Sequence, residues 1–140
     1  MTAFPLKRVR LMPRQLEPGF LYVSEEFEVA GHLCACGCGE KVITPLGTAG
    51  WYFEDAAEGP TLTPSIGSWQ LPCKSHYWIT GGRVRWADQW TPDQIERGRQ
   101  AEEERRRGYY ESRKKVRRIP LRAFWYWLKD VLSRLRVGPR

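Results

Sequence analysis

Four cysteines are the residues of this sequence whose type and spacing most clearly suggest a chemistry, the binding of a metal ion. Three of them alternate with small residues in HLCACGCG, and the fourth stands about 35 residues later in PCKSHYW. Zinc takes four nitrogen or sulfur ligands in a tetrahedron, and two ligand clusters far apart in sequence typically close such a structural site. The spacing therefore predicts a metal-binding core over residues 32–76, with a structural zinc ion. The predicted ligands are Cys34, Cys36, Cys38 and Cys73, and ligation by a histidine stays open.

A hydroxyl beside an imidazole suggests a second chemistry in the same place. If both cysteine segments are extended, their side chains alternate between two faces. An antiparallel pairing that sets Cys34 opposite Cys73 then sets His32 opposite Ser75. This is the minimum arrangement for nucleophilic catalysis, with histidine as the base. The alternative is that the two side chains only form a hydrogen bond near the metal.

The segment TLTPSIGSW offers a second candidate nucleophile. Ser65 follows a proline and precedes Ile-Gly, which predicts an ordered turn that presents a hydroxyl. If Ser65 is the nucleophile, His76 becomes the base, because it points away from the face that carries Ser75. Capping of the turn by the hydroxyl is the structural alternative. Glu40 and Asp55 are the nearest candidates for an acidic third member.

Short strands are the elements that must position these residues. Apolar runs alternate with turn residues as FLYV, FEVAGHLC, KVITPL and GWYF, and YWIT and RVRW flank a Gly-Gly turn. Thr91 is predicted as a helix N-cap, with Pro92 at the first helical position and Gln94 completing a capping box. A long polar helix to about Arg117 follows, and an amphipathic basic helix is predicted over residues 121–136. The sequence thus predicts an α+β fold: a small zinc-stapled antiparallel β-domain followed by two C-terminal helices.

Length and charge bound the organisation of the chain. The 140 residues fit one modest core, and the 41% hydrophobic and 13% aromatic content is that of a folded protein. Residues 91–140 hold 15 of the 23 Lys and Arg but only 7 of the 16 Asp and Glu. We therefore predict a zinc-binding, β-rich candidate catalytic domain at residues 1–90 and a basic helical tail at residues 91–140.

The basic tail and the N-terminus bear on partners and location. A basic run at residues 113–118 is interpreted as a solvated face, so no specific nucleic-acid binding is predicted. The apolar face of the second helix is predicted to pack on the β-domain or on a second copy, which leaves homo-oligomerisation through this helix open; a membrane surface or nucleic acid is the alternative. No stretch approaches the roughly 20 apolar residues that span a bilayer, and MTAFPLKRVR lacks the apolar segment of a secretion signal. We therefore predict a cytoplasmic protein without a transmembrane segment, and in such a reducing compartment crowded cysteines are more typical of thiolate ligands than of disulfides.

The motifs HLCACGCG, PSIG and CKSHYWI occur together in this chain. Over about residues 13–88 the chain resembles the family known as domain of unknown function 6527. Its members are small bacterial proteins found beside ubiquitin-like modifiers and their E1-like and E2-like enzymes, which are the partners that the resemblance implies. It also implies a zinc-containing serine protease that trims the precursor tail of a ubiquitin-like protein or removes that protein from its targets. The site residues it implicates are the four cysteines as ligands, and Ser65, Ser75, His32 and His76 as catalytic candidates.

With this resemblance, the predicted function is that of a zinc-stabilised serine peptidase. Histidine would deprotonate serine, which attacks the carbonyl after the modifier's C-terminal residue, while backbone N–H groups stabilise the oxyanion. If the metal has only three protein ligands, an activated water would attack instead. The alternative from another class is a non-catalytic zinc-ribbon adaptor for proteins of a conjugation pathway. Its docking aromatics would be Trp51, Tyr52 or Trp69.

Overall fold

The computed structural model describes residues 3–117, 125, 127–129 and 131–132. The first sheet contains, in spatial order, β1 (Leu6–Arg8), β2 (Leu21–Ser24), β3 (Val29–Leu33) and β4 (Lys41–Pro45). The second contains β5 (Tyr52–Ala56), β6 (Gly59–Gly67), β7 (His76–Thr80) and β8 (Arg83–Trp86), and α1 (Pro92–Arg117) follows. Neighbouring strands are antiparallel except β1 and β2. The predicted α+β class, with a mostly antiparallel β-domain before the helix, is confirmed.

One apolar core takes residues from both sheets. Side chains alternate along β6 and β7, so Leu62, Ile66, Tyr77 and Ile79 all point into this core and are buried. The other buried members of the core are Phe4, Leu21, Val23, Ala30 and Cys34. The residues that neighbour Leu62, Ile66, Tyr77 and Ile79 in sequence therefore point to the opposite face of the second sheet.

A buried hydrogen bond joins the two sheets inside the core. His32 of β3 is fully buried, and its Nε2 lies 2.8 Å from the hydroxyl of Tyr77 of β7. The same hydroxyl accepts a hydrogen bond from the backbone N–H of Ala35 at 3.5 Å. Burial lowers the pKa of His32 to about 4, so the ring is neutral near pH 7 when it forms this hydrogen bond. This bond therefore connects both sheets and the start of the cysteine segment.

Two predicted local elements are confirmed by their geometry. The backbone N–H of Thr91 donates to Oε1 of Gln94 at 2.8 Å, and the N–H of Gln94 donates to Oγ1 of Thr91 at 3.3 Å. These reciprocal bonds are the predicted capping box at the start of α1. Gly81 and Gly82 connect β7 and β8 with φ of 56° and 68°, values that favour glycine in a tight hairpin.

The segment TLTPSIGSW forms a strand where a turn was expected, and the turn prediction is wrong. Most of it belongs to β6, which pairs with β5 and β7. The register with β7 shifts between Leu62 and Ile66, so Pro64 lies where the ladder is already irregular. Its missing N–H therefore removes no regular hydrogen bond. Proline and serine here mark an irregular stretch of strand, which resembles a turn in sequence.

The chain divides into two compact units, Met1–Glu102 and Glu103–Arg140. Residues 125, 127–129 and 131–132 are helical, and the rest of the helix predicted over residues 121–136 lies outside the described residues. The functional division at residue 90 stays a prediction. Within the described part of the chain, no helix has the length and apolar character needed to cross a membrane.

The bond between His32 and Tyr77 should contribute measurably to stability. We expect Tyr77→Phe to lower the free energy of unfolding by about 1–3 kcal/mol, because it leaves a buried imidazole nitrogen without a partner. Among the described residues, Nδ1 of His32 has no hydrogen-bond partner. Urea unfolding measures the change. Tyr22→Phe is the control, since the Tyr22 hydroxyl bonds to the exposed Glu17; an equal loss in both variants would contradict the interpretation.

Candidate functional site

The four cysteines meet between two loops that leave different sheets. The Sγ atom of Cys34 lies 3.5 Å from that of Cys36 and 3.8 Å from that of Cys73, and Cys38 Sγ lies 3.9 Å from Cys73 Sγ. All four sulfurs lie within 4.8 Å of one another. In a tetrahedral zinc site with Zn–S bonds of about 2.3 Å, the sulfurs stand about 3.8 Å apart. The four cysteines could therefore hold one metal ion, and their spacing fits tetrahedral coordination.

A tight turn presents the first three sulfurs. The N–H of Gly37 donates to the carbonyl of Cys34 at 3.0 Å, and the N–H of Cys34 donates to the carbonyl of Glu40 at 2.8 Å. Gly37 and Gly39 have φ of 85° and 82°, which disfavour a side chain. The expectation of an extended segment is wrong here, because the chain turns directly after β3.

The predicted strand pairing between the two cysteine segments does not occur. β3 pairs with β2 and β4, so its edges are already occupied. Ser75 is buried, and its hydroxyl bonds to the sulfurs of Cys34 and Cys36. This bond lowers the pKa of Cys36 to about 6, whereas burial raises the pKa of Cys34. Within the described residues no hydrogen bond joins Ser75 to His32, so this candidate pair is not assembled.

The second candidate pair is assembled, on the opposite face of the second sheet. Oγ of Ser65 lies 2.9 Å from Nε2 of His76. His76 pairs with Gly67 across the ladder, and Ser65 stands two residues along the same face. Nδ1 of His76 lies 3.3 Å from the backbone carbonyl of Asp88. Since a carbonyl can only accept, Nδ1 carries the proton and Nε2 is left to accept the hydroxyl proton of Ser65.

Tryptophans that sequence reasoning did not connect with the histidine surround this pair. The ring of His76 has centroid distances of 4.9 Å to Trp69, 4.8 Å to Trp90 and 5.8 Å to Trp78. On the other side, Nε1 of Trp51 donates to the backbone carbonyl of Ser65 at 3.3 Å. These rings leave His76 only 5% exposed. The seven tryptophans of the composition indicated an aromatic-rich core, but their spacing in the sequence did not predict that some of them surround His76.

Neither carboxylate proposed as a third member contacts the pair in the described structure. Asp55 forms an ion pair with Arg8 at 2.8 Å. Glu40 contributes its backbone carbonyl to the cysteine turn. In a catalytic triad an acidic side chain orients the histidine by bonding to its Nδ1. Here the backbone carbonyl of Asp88 takes that position. Sequence spacing could not find this contact, because any residue supplies a carbonyl.

A family model described as BubE, bacterial ubiquitination-like system serine protease, matches residues 8–87. The match covers more than half of the 140 residues and includes the four cysteines, Ser65 and His76. It supports the kind of family that the resemblance implied, under a different family name. No curated protein and no solved structure matches the chain.

Metal analysis of the purified protein tests the cluster directly. We expect one zinc ion per chain, because four sulfurs at tetrahedral spacing need a cation to offset their charge when ionised. Cys73→Ser removes the only ligand of the second loop and should weaken zinc binding by at least about 10-fold. Elemental analysis and competition with a chelator measure this. A folded protein that binds no divalent metal would overturn the assignment.

Proposed function

This chain belongs to the BubE family, bacterial ubiquitination-like system serine proteases, and from that premise we propose that it is a serine peptidase with Ser65 as nucleophile and His76 as base. The observation that carries the proposal is the 2.9 Å between Oγ of Ser65 and Nε2 of His76. This distance allows direct proton transfer. The proposed reaction is hydrolysis of the bond after the C-terminal residue of a bacterial ubiquitin-like protein, in its precursor or in a conjugate.

The proposed reaction needs one proton acceptor that later becomes the donor. As Oγ of Ser65 attacks the carbonyl carbon, Nε2 of His76 accepts its proton, and the Asp88 carbonyl holds the imidazole through Nδ1–H. The proton then passes to the leaving group, which departs and leaves an acyl ester on Ser65. A water molecule, deprotonated by His76, then attacks the ester carbonyl, and His76 returns this proton to Oγ of Ser65 as the acid product leaves. Backbone N–H groups that follow Pro64 in the irregular part of β6 are the proposed oxyanion donors.

We assign the metal a structural role, with zinc as the ion. Four thiolates complete a tetrahedron and leave no open position for a water molecule, which supports this role over a metal-activated nucleophile. His76 begins β7 only three residues after Cys73. The cluster therefore fixes the loop that leads into the base. In this proposal Ser75 and His32 support the cluster and the core, and they take no part in the reaction.

The surroundings of the aromatic residues favour a peptidase over an adaptor. Trp51 is half-buried and bonds to the Ser65 carbonyl, and Trp69 is half-buried against Trp90. Of the three aromatics considered for docking, only Tyr52 is well exposed, at 64%. A ubiquitin-like protein is the proposed substrate, and E1-like and E2-like enzymes are proposed partners. Location in the cytoplasm and homo-oligomerisation through the second helix stay predictions.

Cleavage of a ubiquitin-like precursor with a C-terminal extension tests the proposed pair. We expect Ser65→Ala and His76→Ala to lower kcat/KM by at least about 10³-fold, because each removes a group that transfers the proton or forms the ester. Both variants should keep their zinc, since neither residue contacts the sulfurs. Gel electrophoresis and intact mass spectrometry measure product formation.

Ser75→Ala is the matched control at the second serine. It should keep cleavage within about 10-fold of wild type while weakening the metal site, since its hydroxyl bonds to two sulfurs. Loss of cleavage in Ser75→Ala with full zinc content, combined with normal cleavage in Ser65→Ala, would transfer the nucleophile to Ser75. Absence of cleavage by the wild type would favour the adaptor.

A further inference from the structure

Two stacked tryptophans cover the imidazole of His76. The rings of Trp69 and Trp90 lie 5.4 Å apart at 19°, and we call them the tryptophan pair. Trp90 meets His76 edge to face at 73°, and Trp69 meets it at 58°. Such contacts restrict the orientations that an aromatic ring can take. The imidazole is therefore held by rings as well as by its two hydrogen bonds.

Each ring of the tryptophan pair occupies the space above a glycine. A Cβ atom at Gly67 of β6 would lie 2.3 Å from Nε1 of Trp69. A Cβ atom at Gly98 of α1 would lie 2.7 Å from Cζ3 of Trp90. Both distances are shorter than real carbon contacts allow. Glycine has a low helix propensity, so Gly98 costs α1 some stability. In return, its missing side chain leaves the space that the Trp90 ring occupies.

The short segment before α1 also holds His76 through its backbone. The N–H of Ala87 donates to the carbonyl of His76 at 2.9 Å, and the carbonyl of Asp88 accepts from Nδ1 at 3.3 Å. The second bond is long, so alone it restrains the imidazole weakly. Trp90 follows two residues after Asp88 and adds the ring contact. Residues 87–90 thus meet His76 at its backbone, its Nδ1 and its ring.

We propose that Trp90 is a positioning residue that holds His76 in the orientation and tautomer needed to face Ser65, and that Gly98 makes this possible by seating the ring. An effect of Trp90 on catalysis rests on the proposed function, in which His76 is the base. Trp90 acts through His76 and does not itself meet the substrate in this proposal. The start of α1 thereby sets the geometry of the base.

Two alanine variants in the same helix separate this role from helix stability. Gly98→Ala forces Trp90 away, and the ring can move because it is 38% exposed. Gly108→Ala is the matched control, since a Cβ atom there meets nothing within 4 Å. Both changes improve helix propensity, so neither should lower helicity by circular dichroism. Only Gly98→Ala should slow labelling of Ser65 by a fluorophosphonate probe, by about 10-fold or more, since small displacements of catalytic groups cost this much.

Imidazole nitrogen spectra give a readout that needs no activity. The chain has two histidines, so ¹⁵N-histidine labelling gives only two imidazoles to assign. We expect wild type and Gly108→Ala to hold His76 as the single Nδ1–H tautomer, and Gly98→Ala to show a mixture. Trp90→Ala should behave like Gly98→Ala, whereas Trp90→Phe retains a ring and should restore most of the labelling rate.

Equal labelling rates and equal His76 spectra in the two glycine variants would overturn the proposal. A failure of Trp90→Phe to improve on Trp90→Ala would also contradict it, because the ring is what is proposed to act. If the probe does not label the wild type at all, the assignment of Ser65 as nucleophile fails. The spectra then still decide separately whether Trp90 orients the imidazole.

Discussion

The four sulfur atoms bring together two loops that belong to different sheets, and the relative placement of these loops depends on this contact. One loop continues β3 and the other leads into β7, so the cluster fixes both ends of the bond between His32 and Tyr77. A core with few buried side chains gives limited stability in a domain of this size. In small metal domains the free energy of ion binding contributes directly to folding. With an ion bound, as we propose, the cluster would stabilise the loop that leads from Cys73 into His76.

Two serines and two histidines were candidates for the catalytic pair, and the structure places them in different environments. His32 lies in the core, where burial lowers its pKa and Tyr77 occupies its Nε2. His76 lies on the opposite face of the sheet, where Ser65 occupies the corresponding nitrogen. Ser75 points to the sulfurs, one residue before His76. Alternation along a strand is enough to separate support of the metal from the proposed chemistry.

The sequence allowed prediction of features that a few adjacent residues encode. The hairpin at Gly81 and Gly82 and the capping box at Thr91 are of this kind, whereas the cysteine cluster was predicted from residue type, because cysteines in two distant segments are typical zinc ligands. Ser65 with His76 was one of two candidate pairs, and the sequence could not decide between them, because the contact depends on the register of β6 and β7, which shifts between Leu62 and Ile66. The expected pairing of Cys34 with Cys73 failed because a glycine-containing turn, and not an extended strand, carries the ligands. Stacking of tryptophans distant in sequence likewise leaves no local pattern.

If Ser65 is the nucleophile, as we propose, its place on β6 has a consequence for the shape of a substrate. β7 pairs with β6 next to Ser65, and Nε1 of Trp51 donates to the Ser65 carbonyl, so we expect a polypeptide to meet this hydroxyl from above the sheet. To reach Oγ of Ser65, the carbonyl of a substrate must approach the surface of β6 closely, beside the tryptophan rings. A bond inside a helix or a compact turn holds its carbonyl too far from such a surface, whereas a bond in a loose, outstretched terminus can lie flat. Conformation alone would thus spare the folded bodies of nearby proteins and leave their dangling ends open to attack.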